Sequence, residues 1–250
     1  MLIDTHCHIH SADYPLNIND VVKHASEQNV NKIICVGTNI EDSRRAIDFA
    51  SKNDNTFASV GVHPHETKDG YMNIEELIDV NNSSLIAIGE IGLDYHYNYS
   101  PRDVQVKALE SQIEMSLKYK LPIIFHVREA FDDFWPIFDN FHNIRGVLHS
   151  FTDAPINSYR GLDRGLYIGI SGFSTFTKDE DQKAMFSSLP MDRILLETDA
   201  PYLTPMPLRG KVNEPAYISS IAEHQAAIRK ISVEEIANNT TANACALFKF

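Results

Sequence analysis

Six residues of metal-ligating type punctuate this chain, and each follows a short apolar run. His6 and His8 lie in Ile3-Asp4-Thr5-His6-Cys7-His8, and Glu90 ends Ala87-Ile88-Gly89-Glu90. His126 follows Pro122-Ile123-Ile124-Phe125, His149 follows Gly146-Val147-Leu148, and Asp199 follows Leu195-Leu196-Glu197-Thr198. Imidazole nitrogens suit zinc, manganese or nickel, and carboxylate oxygens admit magnesium as well, so the mixed set allows any of the four. A divalent ion held open to water activates that water, and the chemistry this predicts is hydrolysis.

Local spacing sharpens each candidate. Side chains two apart on a strand share a face, so His6 and His8 can grip one ion while Cys7 faces away. Their bland alternative is a pair of surface histidines or a tag remnant, and the strand that precedes them speaks against a tag. Glu90 stands in Gly89-Glu90-Ile91-Gly92-Leu93-Asp94, where the glycines suit close backbone approach. Its two oxygens could bridge two ions, or it could be a salt-bridged glutamate inside the fold. A lone buried histidine is more often a satisfied core residue than a ligand, but His126 and His149 share one placement. Asp199 is in phase with Glu197 on one strand face. Asp199 is therefore read as ligand and proton acceptor, with Glu197 supporting it from beneath.

These donors need elements to hold them. Short apolar runs recur at 2–6, 33–37, 57–62, 85–90, 122–126, 145–149, 166–170 and 193–198. Runs such as Lys32-Ile33-Ile34-Cys35-Val36 suit parallel strands buried on both faces. Helix start signals fall between them: Ser100 with Pro101 and Asp103, Thr177 with Glu180, and Ser232 with Glu235. Val106, Leu109, Ile113 and Leu117 follow at helical spacing. Eight alternations of strand and helix in 250 residues predict an α/β fold, a (β/α)8 TIM-type barrel, as a single domain over 1–250. The proline-rich stretch 200–207 reads as a rigid loop at the barrel mouth rather than a linker.

Other polar residues belong to the same rim. His63, in Val62-His63-Pro64-His65, is placed to contact a phosphate or leaving group, and Arg128 to bind phosphate or pair with an acid. Arg209 and Lys211 form a small basic loop that offers phosphate contacts or is simply a solvated turn. Tyr95, Tyr97, Tyr99 and Tyr202 lie in rim loops where rings could stack on bases. Phe131, Phe134 and Trp135 read as core packing.

Composition limits the partners. With 22 Lys and Arg against 34 Asp and Glu, the net charge is −12. A broad basic face for nucleic acid is thereby excluded, and any such attraction must be local. Three widely spaced cysteines predict a reducing compartment. No signal peptide or membrane-spanning run is evident, so a cytoplasmic location with no membrane association is expected.

With these residues assembled, the chain resembles the TatD family of metal-dependent deoxyribonucleases, within the amidohydrolase-like metallo-barrels. Asp4-Thr5-His6-Cys7-His8 matches the family's D-x-H-x-H, Gly61–Pro64 its G-x-H-P, Gly89–Tyr95 its G-E-x-G-L-D-Y, and Pro122–Arg128 its P-x-x-x-H-x-R. The stretch 195–205, Leu-Leu-Glu-Thr-Asp-Ala-Pro-Tyr-Leu-Thr-Pro, is intact. Ser150-Phe151-Thr152-Asp153-Ala154 departs from the family's C-F-S-G-S, sparing the ligand His149 but changing the loop's polarity. The resemblance implies a barrel fold and two divalent ions. His6, His8, Glu90 and Asp199 would hold one, and Glu90 would bridge to a second held by His126 and His149. It implies cleavage of DNA phosphodiester bonds, as a 3′-5′ exonuclease acting on single-stranded ends, with His63, Arg128, Arg209 and Lys211 at the substrate and no stable protein partner. Hydrolysis of another ester or amide, such as an aminoacyl-tRNA or a small phosphoester, uses the same centre and stands as the rival expectation.

Overall fold

The eight apolar runs are the eight strands. In the computed structural model, which describes residues 1–250, β1 is Leu2–Cys7, β2 Val30–Val36, β3 Thr56–Val60, β4 Leu85–Asp94, β5 Ile123–Arg128, β6 Gly146–Leu148, β7 Tyr167–Ile170 and β8 Ile194–Leu196. They follow one another in sequence order in one eight-stranded sheet, alternating with helices, which is the (β/α)8 barrel architecture. The helices are α1 Ile18–Glu27, α2 Ile40–Lys52, α3 Arg102–Tyr119, α4 Phe131–Phe138, α5 Pro155–Asp163, α6 Glu180–Ser188, α7 Ile218–Arg229 and α8 Val233–Phe248. No helix is long and apolar enough to cross a membrane.

Contacts group the chain into two units, one of residues 1–34 with 150–249, the other of residues 35–149 with Phe250. In the second unit β3 to β6 pair in parallel. Every residue of β4 is buried, as a strand covered on both faces requires. Between Ile88 and Ile91 on β4 the partner strand advances only from Ile123 to Phe125, so β4 carries one extra residue, a bulge spanning Gly89 and Glu90. Gly89 has φ +154°, and a Cβ there would lie 2.7 Å from the Ile124 Cβ. Glycine is what lets this strand bulge against β5. Phe131, Phe134 and Trp135 of α4 are buried against Phe125 and Phe138, as expected of core residues.

In the first unit β7 pairs with β8, and a parallel bridge joins Cys7, at the end of β1, to Ala200 beyond β8. Ser232 caps α8 by accepting the Glu235 N–H, as its pattern predicts. Two other caps differ from expectation. Asp179, not Thr177, caps α6, and Thr177 instead donates to Gln182. Ser100 is not the cap of α3: its hydroxyl donates to the His65 carbonyl and accepts the Lys68 N–H, so tertiary partners take the bonds a cap would make.

Candidate metal and catalytic site

His6 is the penultimate residue of β1 and fully buried, and His8 lies one residue past the strand. Their Nε2 atoms stand 3.1 Å apart, at 3.8 and 3.5 Å from the Asp199 Oδ1. Donors around one ion at about 2.1 Å are separated by about 3.0–3.4 Å, and these three come within about 0.4 Å of that spacing, close enough to hold one ion after a small adjustment. Asp199 does not reach this place by strand phase. Strand β8 ends at Leu196, and Asp199 has φ +58°, a left-handed conformation that aspartate tolerates better than most residues. Interlocking backbone bonds hold the turn: the Asp199 N–H donates to the His6 carbonyl, and the His8 N–H to that of Ala200.

Asp4 underlies this arrangement. Its Oδ1 accepts the Thr198 N–H at 2.9 Å and the His6 N–H at 3.3 Å, and its Oδ2 accepts the Thr198 hydroxyl at 2.5 Å. Burial pushes the Asp4 carboxyl up to about 8. Asn213 ties the same segment from its far side, donating to the carbonyls of Thr198 and Tyr202. Glu197 is buried, and its carboxylate accepts the N–H of Ser150, the residue after His149.

Within residues 35–149 a second donor group centres on Glu90. Its Oε1 lies 2.9 Å from the His126 Nδ1, 3.5 Å from the His149 Nε2 and 3.7 Å from the His63 Nε2. The β4 bulge aims the carboxylate, and its backbone N–H is held by the Gly37 carbonyl. His126 and His149 beside one carboxylate oxygen match the N and O donor chemistry of zinc, manganese or nickel, and His63 stands against the same oxygen.

Asp94, four residues beyond Glu90, is fully buried. Its Oδ2 lies 2.9 Å from the His126 Nε2 and 3.0 Å from the His65 Nε2. Its Oδ1 accepts the N–H groups of His96 and Tyr97. Burial acts to raise the Asp94 carboxyl, but the bonds from His126 and His65 outweigh it and hold the group well below the usual carboxylate range. His126 shows the mirrored balance. Burial lowers it, yet Asp94 and Glu90 raise it above its ordinary value. His63 goes the other way: burial first, then the neighbouring His126, pushes it well below 6.5. The His63 Nδ1 accepts the His65 N–H, so the neutral ring carries its proton on Nε2, toward Glu90.

The basic candidates have partners of their own. The Arg128 guanidinium lies 4.8 Å from the Tyr97 ring centre. That of Arg209 sits 4.0 Å over Phe176 and donates to the Thr204 carbonyl. Lys211 is exposed.

Residues 3–249 match the family described as TatD related DNase. The chain belongs to the TatD family. It is 35% identical to YabD of Bacillus subtilis, named as a metal-dependent hydrolase, over all of this chain and 99% of that one. It is 32% identical to the 3′-5′ ssDNA/RNA exonuclease TatD of Salmonella typhimurium, with 99% of each chain covered. The crystal structure of YjjV, a TatD homologue of Escherichia coli, superposes with a TM-score of 0.91 at 25% identity, covering 100% of this chain and 98% of that one. A TatD family hydrolase of Entamoeba histolytica gives 0.90 at 25% identity, covering 99% and 97%. This chain is thus a TatD-type metal-dependent hydrolase.

Sequence reasoning passed over Asp4, His65 and Asp94 as working residues of this TatD chain. Asp4 and Asp94 both lay within the motifs that carried the resemblance, beside the residues chosen as ligands. Only the folded register shows that their carboxylates turn inward to orient those neighbours.

Proposed function

We propose that residues 1–250 act as one catalytic domain that removes nucleotides from the 3′ end of single-stranded DNA, using two divalent ions. Convergence of His126 and His149 on the Glu90 Oε1, with the His63 N–H beside them, is the observation that supports this most. The separate set of His6, His8 and Asp199 supplies the other donors. The resemblance assigns Glu90 to both ions, and the exonuclease name of the Salmonella relative supports the substrate.

Divalent ions at these donors would supply Lewis-acid chemistry, drawing the pKa of water toward about 7 and charge from a phosphoryl oxygen. In the reaction, a water oxygen bonds to phosphorus, the P–O3′ bond breaks, Asp199 accepts the proton that the water gives up, and the released O3′ takes a proton from solvent to become a hydroxyl. His63, neutral with its proton on Nε2, donates to the phosphoryl oxygen as negative charge grows there. Arg128 steadies the same phosphate. Asp94 fixes the His126 ring by accepting from Nε2, which leaves the Nδ1 lone pair on the Glu90 side.

Glu90→Gln and Asp199→Asn, assayed on 3′-labelled single-stranded DNA with magnesium or manganese, test this reading. Each should lower turnover by at least about a hundredfold, and full activity in both would end the mechanism. The net charge of −12 favours a second reading, a small ester or amide substrate. Hydrolysis of aminoacyl-tRNA or a phosphoester by a protein inert on DNA ends would select it.

A further inference from the structure

Of the four rim tyrosines, two form a single surface. The Tyr97 and Tyr99 rings stack with centroids 5.4 Å apart and planes 10° from parallel. Both are exposed, at 47% and 57%. Two adjacent flat rings open to water beside this site are available for a ligand to stack on. Tyr95 differs: its hydroxyl donates to Asp133, and Arg102 sits 4.0 Å over its ring.

The pair is tied to the catalytic residues. Its loop starts at Asp94, whose Oδ1 accepts the His96 and Tyr97 N–H groups while its Oδ2 faces His126 and His65. The His65 ring packs edge-on against Tyr99 at 4.8 Å and Tyr97 at 5.5 Å. His65 in turn stands beside His63, with centroids 4.4 Å apart. Arg128, two residues past His126 on β5, lies over Tyr97. One carboxylate thus sets both the orientation of a metal-ligand histidine and the start of the tyrosine loop.

We propose that Tyr97 and Tyr99 form a stacking platform for the terminal nucleobase of a single-stranded nucleic acid. The proposal rests on the phosphodiesterase reading above and names what that site grips. The occupant is a base rather than an apolar peptide for two reasons: the rings are flat and nearly parallel, and a cation suited to phosphate lies over Tyr97. Every base has a π-face, so the platform gives affinity without sequence choice. A chain of net charge −12 has little broad attraction for a polyanion, and stacking supplies affinity that does not depend on charge.

The test uses the full-length metal-loaded protein and an oligonucleotide ending in 2-aminopurine, its last linkage a phosphorothioate that resists cleavage. Stacking quenches the fluorophore. Wild type and the Tyr97→Phe/Tyr99→Phe double variant should quench it, whereas Tyr99→Ala and the Tyr97→Ala/Tyr99→Ala double variant should not. On cleavable DNA and RNA strands the alanine variants should raise KM by roughly tenfold with kcat little changed. The same strands with an abasic 3′ end should show no difference between wild type and alanine variants. Absence of quenching by wild type, or equal quenching by the alanine variants, overturns the platform even if wild type degrades DNA. Loss of cleavage in Glu90→Gln with quenching intact separates the two claims, and the DNA and RNA arms show which strand the platform serves.

Discussion

Asp94 shows how much of this site rests on a residue outside the proposed ligand set. Its Oδ2 accepts from the His126 Nε2, so the His126 Nδ1 is left as the donor facing Glu90. An asparagine would keep the shape but present an N–H₂ or a neutral oxygen to His126, and the favoured ring tautomer would be lost. Asp94→Asn should therefore lower metal affinity or turnover by about 10- to 100-fold. Manganese titration by calorimetry, alongside kcat measured at saturating metal, checks this. Unchanged metal affinity together with unchanged turnover would reduce Asp94 to a loop anchor. The residue was hidden in plain view: it lies in Gly92-Leu93-Asp94-Tyr95, within a motif already recognised. The pattern of types cannot say which carboxylate faces the His126 Nδ1 and which its Nε2, because that depends on the bulge at Gly89 and Glu90.

At the scale of elements, glycine decides whether β4 can lie beside β5. Gly92 pairs with His126 in register, has φ +152°, and would bring a Cβ to 1.8 Å from the His126 carbonyl oxygen. That neighbour is backbone and cannot swing aside. Gly92→Ala should destabilise the fold by more than about 4 kcal/mol, seen as a collapsed soluble yield or urea midpoint. Gly70→Ala is the control: it also has positive φ, +109°, but nothing lies within 4 Å, so only the backbone cost of about 1–2 kcal/mol applies. Equal losses in the two variants would show that conformation rather than the clash governs β4. The strands were legible because buried parallel strands need unbroken apolar runs, and each of the eight runs became one. Helix starts were less so. Ser100 and Thr177 carry the cap pattern, yet their hydroxyls found the His65 carbonyl and the Gln182 side chain. Asp199 was assigned to the site, but by a strand phase that does not exist, since β8 ends at Leu196 and a left-handed turn delivers the side chain.

For the molecule as a whole, charge sets how a nucleic-acid strand can be held. A surface of net charge −12 repels a polyanion at a distance, so binding must come from short-range contacts. Of the basic residues marked for phosphate, Arg209 is held by both Phe176 and a bond to the Thr204 carbonyl, which leaves Arg128, lying over Tyr97, and Lys211. With about two phosphates neutralised on a single strand, affinity should fall only about sevenfold between roughly 50 and 200 mM salt. Six such contacts would cost about 300-fold over the same range. Fluorescence anisotropy of a labelled single strand across that salt series distinguishes the cases. A shallow slope fits an enzyme that grips an end by its base and its terminal phosphate and otherwise touches the strand little. A steep slope would mean that a basic track binds the strand, and the tyrosine platform would then be a minor contributor to affinity. The acidic surface is thus compatible with a nuclease only if recognition is local to the end, where Glu90 of β4 and the exposed Tyr97 and Tyr99 rings of the loop after it lie within ten residues of one another in sequence.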